Sequence, residues 1–243
     1  MKAALNITIQ PQPDDTTCGP TCLHAVYQYY GDTIPLGRVI EEVKQFKTGG
    51  TLAVFLACHA LRRGYKARIY TYNMQVFDPT WFSQGPDYIE ERLLAQMEAK
   101  EDAKLRKATR GYLNFLNLGG ELRFADLNAS LLRKYLKREA PILTGLSSTY
   151  LYRSMREYGE LCEDDDIRGY PAGHFVVLCG YDKPDRTVSV ADPLMENPMA
   201  PGHYYHVPID RVICSILLGI VTYDANFLII EPKEKKGEAR NTP

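Results

Sequence analysis

Gln12 and Cys18 stand six residues apart in Gln12-Pro13-Asp14-Asp15-Thr16-Thr17-Cys18-Gly19-Pro20-Thr21-Cys22, where a proline-containing loop runs into an apolar periodicity. Apolar residues recur at Cys22, Leu23, Val26, Tyr27 and Tyr30, a helical spacing that Gly31 ends. Cys18 is thereby expected at the first turn of a helix. Unpaired backbone N–H groups and the positive end of the helix dipole gather there, and such a setting favours thiolate over thiol. Cys18 is therefore the candidate nucleophile. Cys22, one helical turn on, reads as a small core residue rather than a resolving thiol. Cys18, Cys22 and His24 have poor spacing for a zinc site.

A cysteine nucleophile needs a base that takes its proton and later protonates the leaving group, and a third group to orient that base. Of the five histidines, His174 is the best placed, because it follows Gly173 and opens the apolar run His174-Phe175-Val176-Val177-Leu178-Cys179. His24 lies on the Cys18 helix but points away from Cys18 by the 3.6-residue period. His59 is expected mid-helix, and His203 and His206 near a loop. Asp192 ends the strand expected over Val188–Asp192, which forms a hairpin with the His174 strand. A carboxylate there can hold one imidazole nitrogen and leave the other facing Cys18. The Gln12 amide can donate to a developing oxyanion beside the Cys18 backbone N–H; one such donor is commonly worth about 3–4 kcal/mol of barrier.

The remaining elements must carry these groups to one place. Leu5–Ile9 alternates as a first strand. Helices are expected over Pro35–Phe46 and Thr51–Arg63, the second capped by Thr51 and ended by Gly64. A strand is expected over Tyr65–Tyr72. Asp87–Asn117 reads as a long amphipathic helix broken near Thr109-Arg110-Gly111, a helical insertion over about 85–118. It reads as a solvated structural helix, with a partner-binding arm or active-site cover as the alternative. A helix over Ala125–Arg138 and a short strand over Pro141–Gly145 follow. The acidic stretch Glu160–Asp166 falls in a loop just before His174; its Glu163-Asp164-Asp165-Asp166 run reads as a solvated face, with selection of a basic or amino-terminal group on the substrate as the alternative. Met195–Gly202 reads as a loop, Pro208–Leu218 as a helix, Gly219–Ile230 as final strand material, and 233–243 as a charged flexible tail.

A chain of 243 residues can bury a substantial core. With 45% hydrophobic and 24% charged residues its composition is that of a globular domain. A formal net charge of −1 gives no basic field for nucleic acid or an anionic membrane. No run reaches the roughly 20 apolar residues that span a bilayer, and the first residues lack a secretory core. A cytoplasmic location is expected. Six cysteines in such a chain do not imply a disulfide framework; Cys58, Cys179 and Cys214 read as core residues.

Gln12-x5-Cys18-Gly19-Pro20, the Gly173-His174-Phe175-Val176-Val177-Leu178 strand opening and Val190-Ala191-Asp192-Pro193 resemble the bacteriocin-processing, C39-type cysteine peptidases of the papain-like superfamily. The resemblance implies an α+β papain-like fold, in which an N-terminal helical part packs on an antiparallel β-sheet as a single domain over 1–232. It places the oxyanion glutamine, nucleophile, general base and orienting aspartate of the family on Gln12, Cys18, His174 and Asp192. It implies hydrolysis of a peptide or amide bond in a peptide or protein substrate, with no metal or organic cofactor. The chain lacks the membrane span and Walker-type loop of the family's exporter-linked members, so thiol chemistry carries over better than a leader-peptide substrate. Amide-forming acyl transfer and inactive peptide binding are the alternatives.

Overall fold

Unbroken apolar runs around Val176 and Ile229, and the alternation from Tyr65 to Thr71, form the sheet on which everything else is hung. The computed structural model describes residues 2–46, 49–159 and 161–233. In chain order its elements are β1 (Lys2–Ala4), α1 (Cys18–Tyr29), α2 (Leu36–Glu42), α3 (Ala53–Arg62), β2 (Tyr65–Thr71), α4 (Pro86–Ala99), α5 (Ala103–Asn117), β3 (Glu121–Arg123), α6 (Ala129–Leu136) and β4 (Ile142–Ser147). Then come α7 (Ser148–Tyr152), β5 (Glu157–Tyr158), β6 (Glu163–Asp164), β7 (Gly173–Asp182), β8 (Thr187–Ala191), β9 (Tyr204–Pro208), α8 (Ile209–Leu218) and β10 (Asn226–Pro232). The main sheet runs β3-β2-β10-β4-β7-β8-β9, with β1 added to β7. All neighbours are antiparallel except β2 and β3.

Both faces of the sheet are covered, and the period of two along β7 shows how. Phe175, Val177 and Cys179 pack into a core with Leu23, Val26, Leu56 and Phe115, from α1, α3 and α5. Val176 and Leu178 pack into a second core with Leu132, Leu136, Val212 and Ile216, from α6 and α8. Each fully buried Leu, Ile or Phe contributes roughly 1.5–3 kcal/mol, so burial on two faces holds β7 firmly in the frame. The expected α+β arrangement of helices packed on an antiparallel sheet is the one observed.

Several elements differ from the sequence expectation, each for a physical reason. Leu5–Ile9 is not a strand, since the Tyr204 hydroxyl takes the Ile9 N–H at 3.1 Å and donates to the Ile7 carbonyl at 3.0 Å. A side chain thus stands where a neighbouring strand would. Thr51 does not cap α3; its hydroxyl goes to the Lys44 carbonyl, and the Asp224 carboxylate takes the Ala53 N–H at 2.7 Å. The helical insertion is two helices, broken at Lys100–Asp102 where the Asp102 side chain caps α5. Gly111 does not break it. The glycine lies within α5 because a Cβ there would meet Phe55 at 2.7 Å and Val54 at 2.9 Å. β9 was hidden by its framing with Gly202 and Pro208. Cys214 is exposed, whereas Cys58 and Cys179 are buried as expected. The tail at 234–243 and Glu160 of the acidic stretch lie outside the described residues.

Candidate active site

The helix that begins at Cys18 starts without help from its neighbours. Thr17, the preceding residue, makes no capping side-chain bond, and the first turn holds no acidic residue. Asp14 spends one carboxylate oxygen on the backbone and hydroxyl of Thr16 at 2.8 and 2.7 Å, which folds the preceding loop tightly. The N–H groups of the first turn therefore remain available to a negative charge at this end of α1. Gly19 follows because Phe175 and Thr51 crowd it: a Cβ would lie 2.6 Å from the Thr51 methyl.

β7 brings His174 to this helix end. Its Nε2 bonds Asp192 Oδ1 at 2.8 Å, and the ring lines the same cleft as Cys18, close enough for charge on the sulfur to act on it. With Nε2 occupied by the carboxylate, Nδ1 is the nitrogen left for the sulfur. Burial alone would drive the imidazole toward its neutral form. The negative charge of Cys18 and the Asp192 carboxylate outweigh it, and the imidazole is pushed up to about 10. Cys18 is 8% exposed, His174 8% and Asp192 0%, so the three groups meet at the closed end of an opening rather than on an open surface.

Asp192 is held more completely than its position at a strand end suggests. Oδ1 also accepts the Leu194 N–H at 2.9 Å. Oδ2 accepts the hydroxyls of Tyr152 and Tyr205, each at 2.6 Å. The His203 ring and backbone brace the Asp192 main chain on both sides, at 2.7 and 2.8 Å. Burial opposes the charge on Asp192, but the donors from His174, Tyr152 and Tyr205 prevail and keep its carboxyl below the ordinary range. Sequence reasoning missed both tyrosines. Tyr205 could have been found from the alternation Tyr205, Val207 of β9; Tyr152, at the end of α7, gives no such signal.

Tyr152→Phe and Tyr205→Phe are each expected to lower stability by about 1.5–3 kcal/mol, the worth of a hydrogen bond to a charged group. The folded carboxyl lies below its unfolded value, so this stability is present at neutral pH and lost as the pH falls through the folded value. Chemical denaturation across pH should show the variants' deficit at pH 7 and its shrinkage in acid.

Gln12 lies in the same neighbourhood through its backbone, whose N–H bonds the Pro193 carbonyl at 3.0 Å. Its Nε2 donates to the Asp14 carbonyl at 3.0 Å, and its Oε1 is buried without a partner. One of its two amide hydrogens is thus engaged within the loop. Cys22 is buried, donates its thiol to the Phe175 carbonyl at 3.2 Å, and is held as a thiol by burial and by the charges of Cys18 and Asp192. His24 is buried away from the site, and His59 pairs with Tyr27 and Glu42. His206 bonds Ser189. In the acidic stretch, Asp165 turns its carboxylate onto Ile167 and Arg168 of its own loop.

Cys18 and His174 open on a cleft of about 610 Å³. Its walls include Thr51 and Leu52 before α3, Gly145 of β4, Thr222 and Asp224 before β10, and Lys104 and Lys107 of α5. The helical insertion therefore contributes a wall of the cleft. Among the described residues no helix is long and apolar enough to cross a membrane.

The profile of the Peptidase_C39 like family matches residues 4–208. The chain belongs to the C39-like peptidase family. It is similar in structure to a putative C39-like peptidase from Bacillus anthracis, with a TM-score of 0.54 and 16% identity over 97% of this chain and 100% of that one. That likeness shows a shared fold. The peptidase domain of Streptococcus ComA, a bifunctional ABC transporter, aligns at TM-score 0.46 and 14% identity, covering 94% of this chain and 100% of that one. Xylellain, a cysteine protease from Xylella fastidiosa, aligns at 0.45 and 14%, covering 96% and 86%. No curated protein is similar enough to be matched. The C39-like chain thus keeps the family's fold at low identity, and its chemistry has to be argued from its own residues.

Proposed function

We propose that this C39-like chain is a cysteine peptidase in which Cys18 is the nucleophile, His174 the acid–base and Asp192 the group that orients the imidazole. The reading rests on one observation above the others: His174 holds Asp192 through Nε2 at 2.8 Å and shares one cleft with Cys18 at the uncapped start of α1. An imidazolium poised between thiolate and carboxylate is the resting state that acyl transfer to sulfur requires.

In the proposed sequence the Cys18 thiolate attacks the carbonyl carbon of a peptide or amide bond bound in the cleft. The carbonyl oxygen becomes an oxyanion, held by the Cys18 backbone N–H and by the second amide hydrogen of Gln12. His174 gives its proton to the departing nitrogen as the C–N bond breaks, leaving a thioester on Cys18. His174, now neutral, takes a proton from water, whose oxygen attacks the thioester; the acid leaves, and thiolate and imidazolium are restored. Every proton is moved by side chains of the chain itself.

The test is incubation of wild type and Cys18→Ala with a diverse peptide mixture, read by mass spectrometry. Products formed by the wild type alone are expected. Products from both proteins alike, or from neither, would overturn the assignment.

A further inference from the structure

The cleft extends beyond Cys18 to a carboxylate that the proposed chemistry does not use. Gly145 and Phe175 are direct partners across β4 and β7. Residues so paired project to the same face of a sheet, here the face packed against α1 and α3. Gly145 sends nothing from that face. A Cβ on it would come within 3.2 Å of Asp224 Cγ and Oδ2. The Asp224 carboxylate therefore occupies the space a side chain at 145 would fill, and it lines the cleft although the residue is only 6% exposed.

The bonds that hold Asp224 leave it with capacity to spare. Oδ2 accepts the Ala53 N–H at 2.7 Å, and Oδ1 accepts from the Asn226 amide. Each oxygen has a further lone pair, and an ionised carboxylate can only accept. Capping α3 takes only one of its oxygens, so the cap by itself does not call for a buried charge. Burial raises this carboxyl to about 7 in spite of those donors and of Lys104. The Lys104 ammonium, which acts on Asp224 through space, sits over the Tyr223 ring at 4.7 Å from its centroid. Lys107 donates to the Gln45 carbonyl at 2.7 Å and lies over the Phe46 ring.

We propose that Asp224 is a specificity residue of the cleft and binds a cationic nitrogen of the substrate, an ammonium or a guanidinium, set a short way along the peptide from the scissile carbonyl. The inference rests on the cleft being the substrate site. A cation with N–H donors would add a counter-charge in contact, where Lys104 acts only through space, and fill the remaining acceptor positions with directed hydrogen bonds, and a neutral side chain of equal length supplies neither the charge nor the donors. The cation can come from a lysine or arginine side chain or from the substrate's own amino terminus.

The test measures binding in the Cys18→Ala background, so that it does not depend on turnover. Peptides carry lysine, arginine or norleucine at each position in turn, with the amino terminus free or acetylated. At one position the cationic peptide is expected to bind at least 10-fold tighter than its norleucine counterpart. Sensitivity to acetylation instead of to the side chain would identify the amino terminus as the source. Adding Asp224→Asn should bring the ratio close to one. A ratio near one in Cys18→Ala itself, or one unchanged by Asp224→Asn, would overturn the proposal.

A measurement on the unaltered carboxylate covers the case in which the double variant does not fold. The cationic preference of Cys18→Ala should rise as the pH increases through about 7, where Asp224 ionises. Lys104, Lys107 and Tyr112 of α5, Tyr223 beside it, and His174 and Asp15 along the cleft are the other charged or titratable groups to account for. A preference independent of pH would count against Asp224. Selective binding by Cys18→Ala combined with no cleavage by the wild type would leave this inference standing and remove hydrolysis; the reverse result would do the opposite.

Discussion

His174→Ala is expected to lower kcat/KM for a cleaved peptide by a factor on the order of 10⁵–10⁶, as removal of a nucleophile's base does elsewhere. The size follows from the two tasks of one ring. In the proposed mechanism it keeps the Cys18 sulfur charged before attack, and it carries the proton to the departing nitrogen afterwards. Loss of the first task is visible without any substrate, as a fall in thiolate absorbance and in the rate of alkylation of Cys18 by iodoacetamide at neutral pH. In the wild type the imidazole titrates at about 10 in place of 6.5. A folded value above the unfolded one means that the stabilisation is complete below 6.5 and is lost as the pH rises through about 10. Stability to denaturant should therefore stay level across neutrality in the wild type and fall in alkali. A variant that alkylates as fast as the wild type would show that His174 does not activate the sulfur.

Asp192→Ala should damage both activity and folding. Removing the orienting carboxylate lets the imidazole turn and adopt the wrong tautomer, a loss on the order of 10⁴ in kcat. It also strands the donors of His174, Tyr152, Tyr205 and Leu194 around a position that is itself fully buried. Breaking a buried charged pair by deleting one partner costs roughly 3–5 kcal/mol, so the variant should unfold at distinctly lower denaturant. Asp192→Asn keeps an acceptor for the two hydroxyls and should recover much of the stability while remaining poorly active. Activity and stability falling in proportion across the two variants would mean that Asp192 only holds the fold.

The parts of the site legible in the sequence are those whose signal is local. Cys18 stands before a helical periodicity, His174 opens an apolar run, and Asp192 ends the strand that pairs with it. The structure brings all three together. The groups that escaped reading act across long separations: Tyr152 and Tyr205 meet Asp192 from α7 and β9, and Asp224 caps α3 from the far end of the chain. Nothing in the neighbours of Tyr152 or Asp224 marks them, because the contacts exist only once the sheet has formed. The same reason explains the errors of extent. Thr51 is a reasonable cap by sequence, but a better acceptor, Asp224, arrives from the segment just before β10. Gly111 is a reasonable break, but the side chains of α3 require a residue without a Cβ there. The excess of tyrosine, 17 against one tryptophan, finds part of its reason in the hydroxyls turned onto Asp192 and onto the Leu5–Ile9 segment.

β10 lies between β2 and β4, inside the sheet and not at its edge. It is the seam between two halves, with β2 and β3 on one side and β4, β7, β8 and β9 on the other. Whatever loosens this one strand therefore divides the sheet, and with it the two cores that the sheet separates.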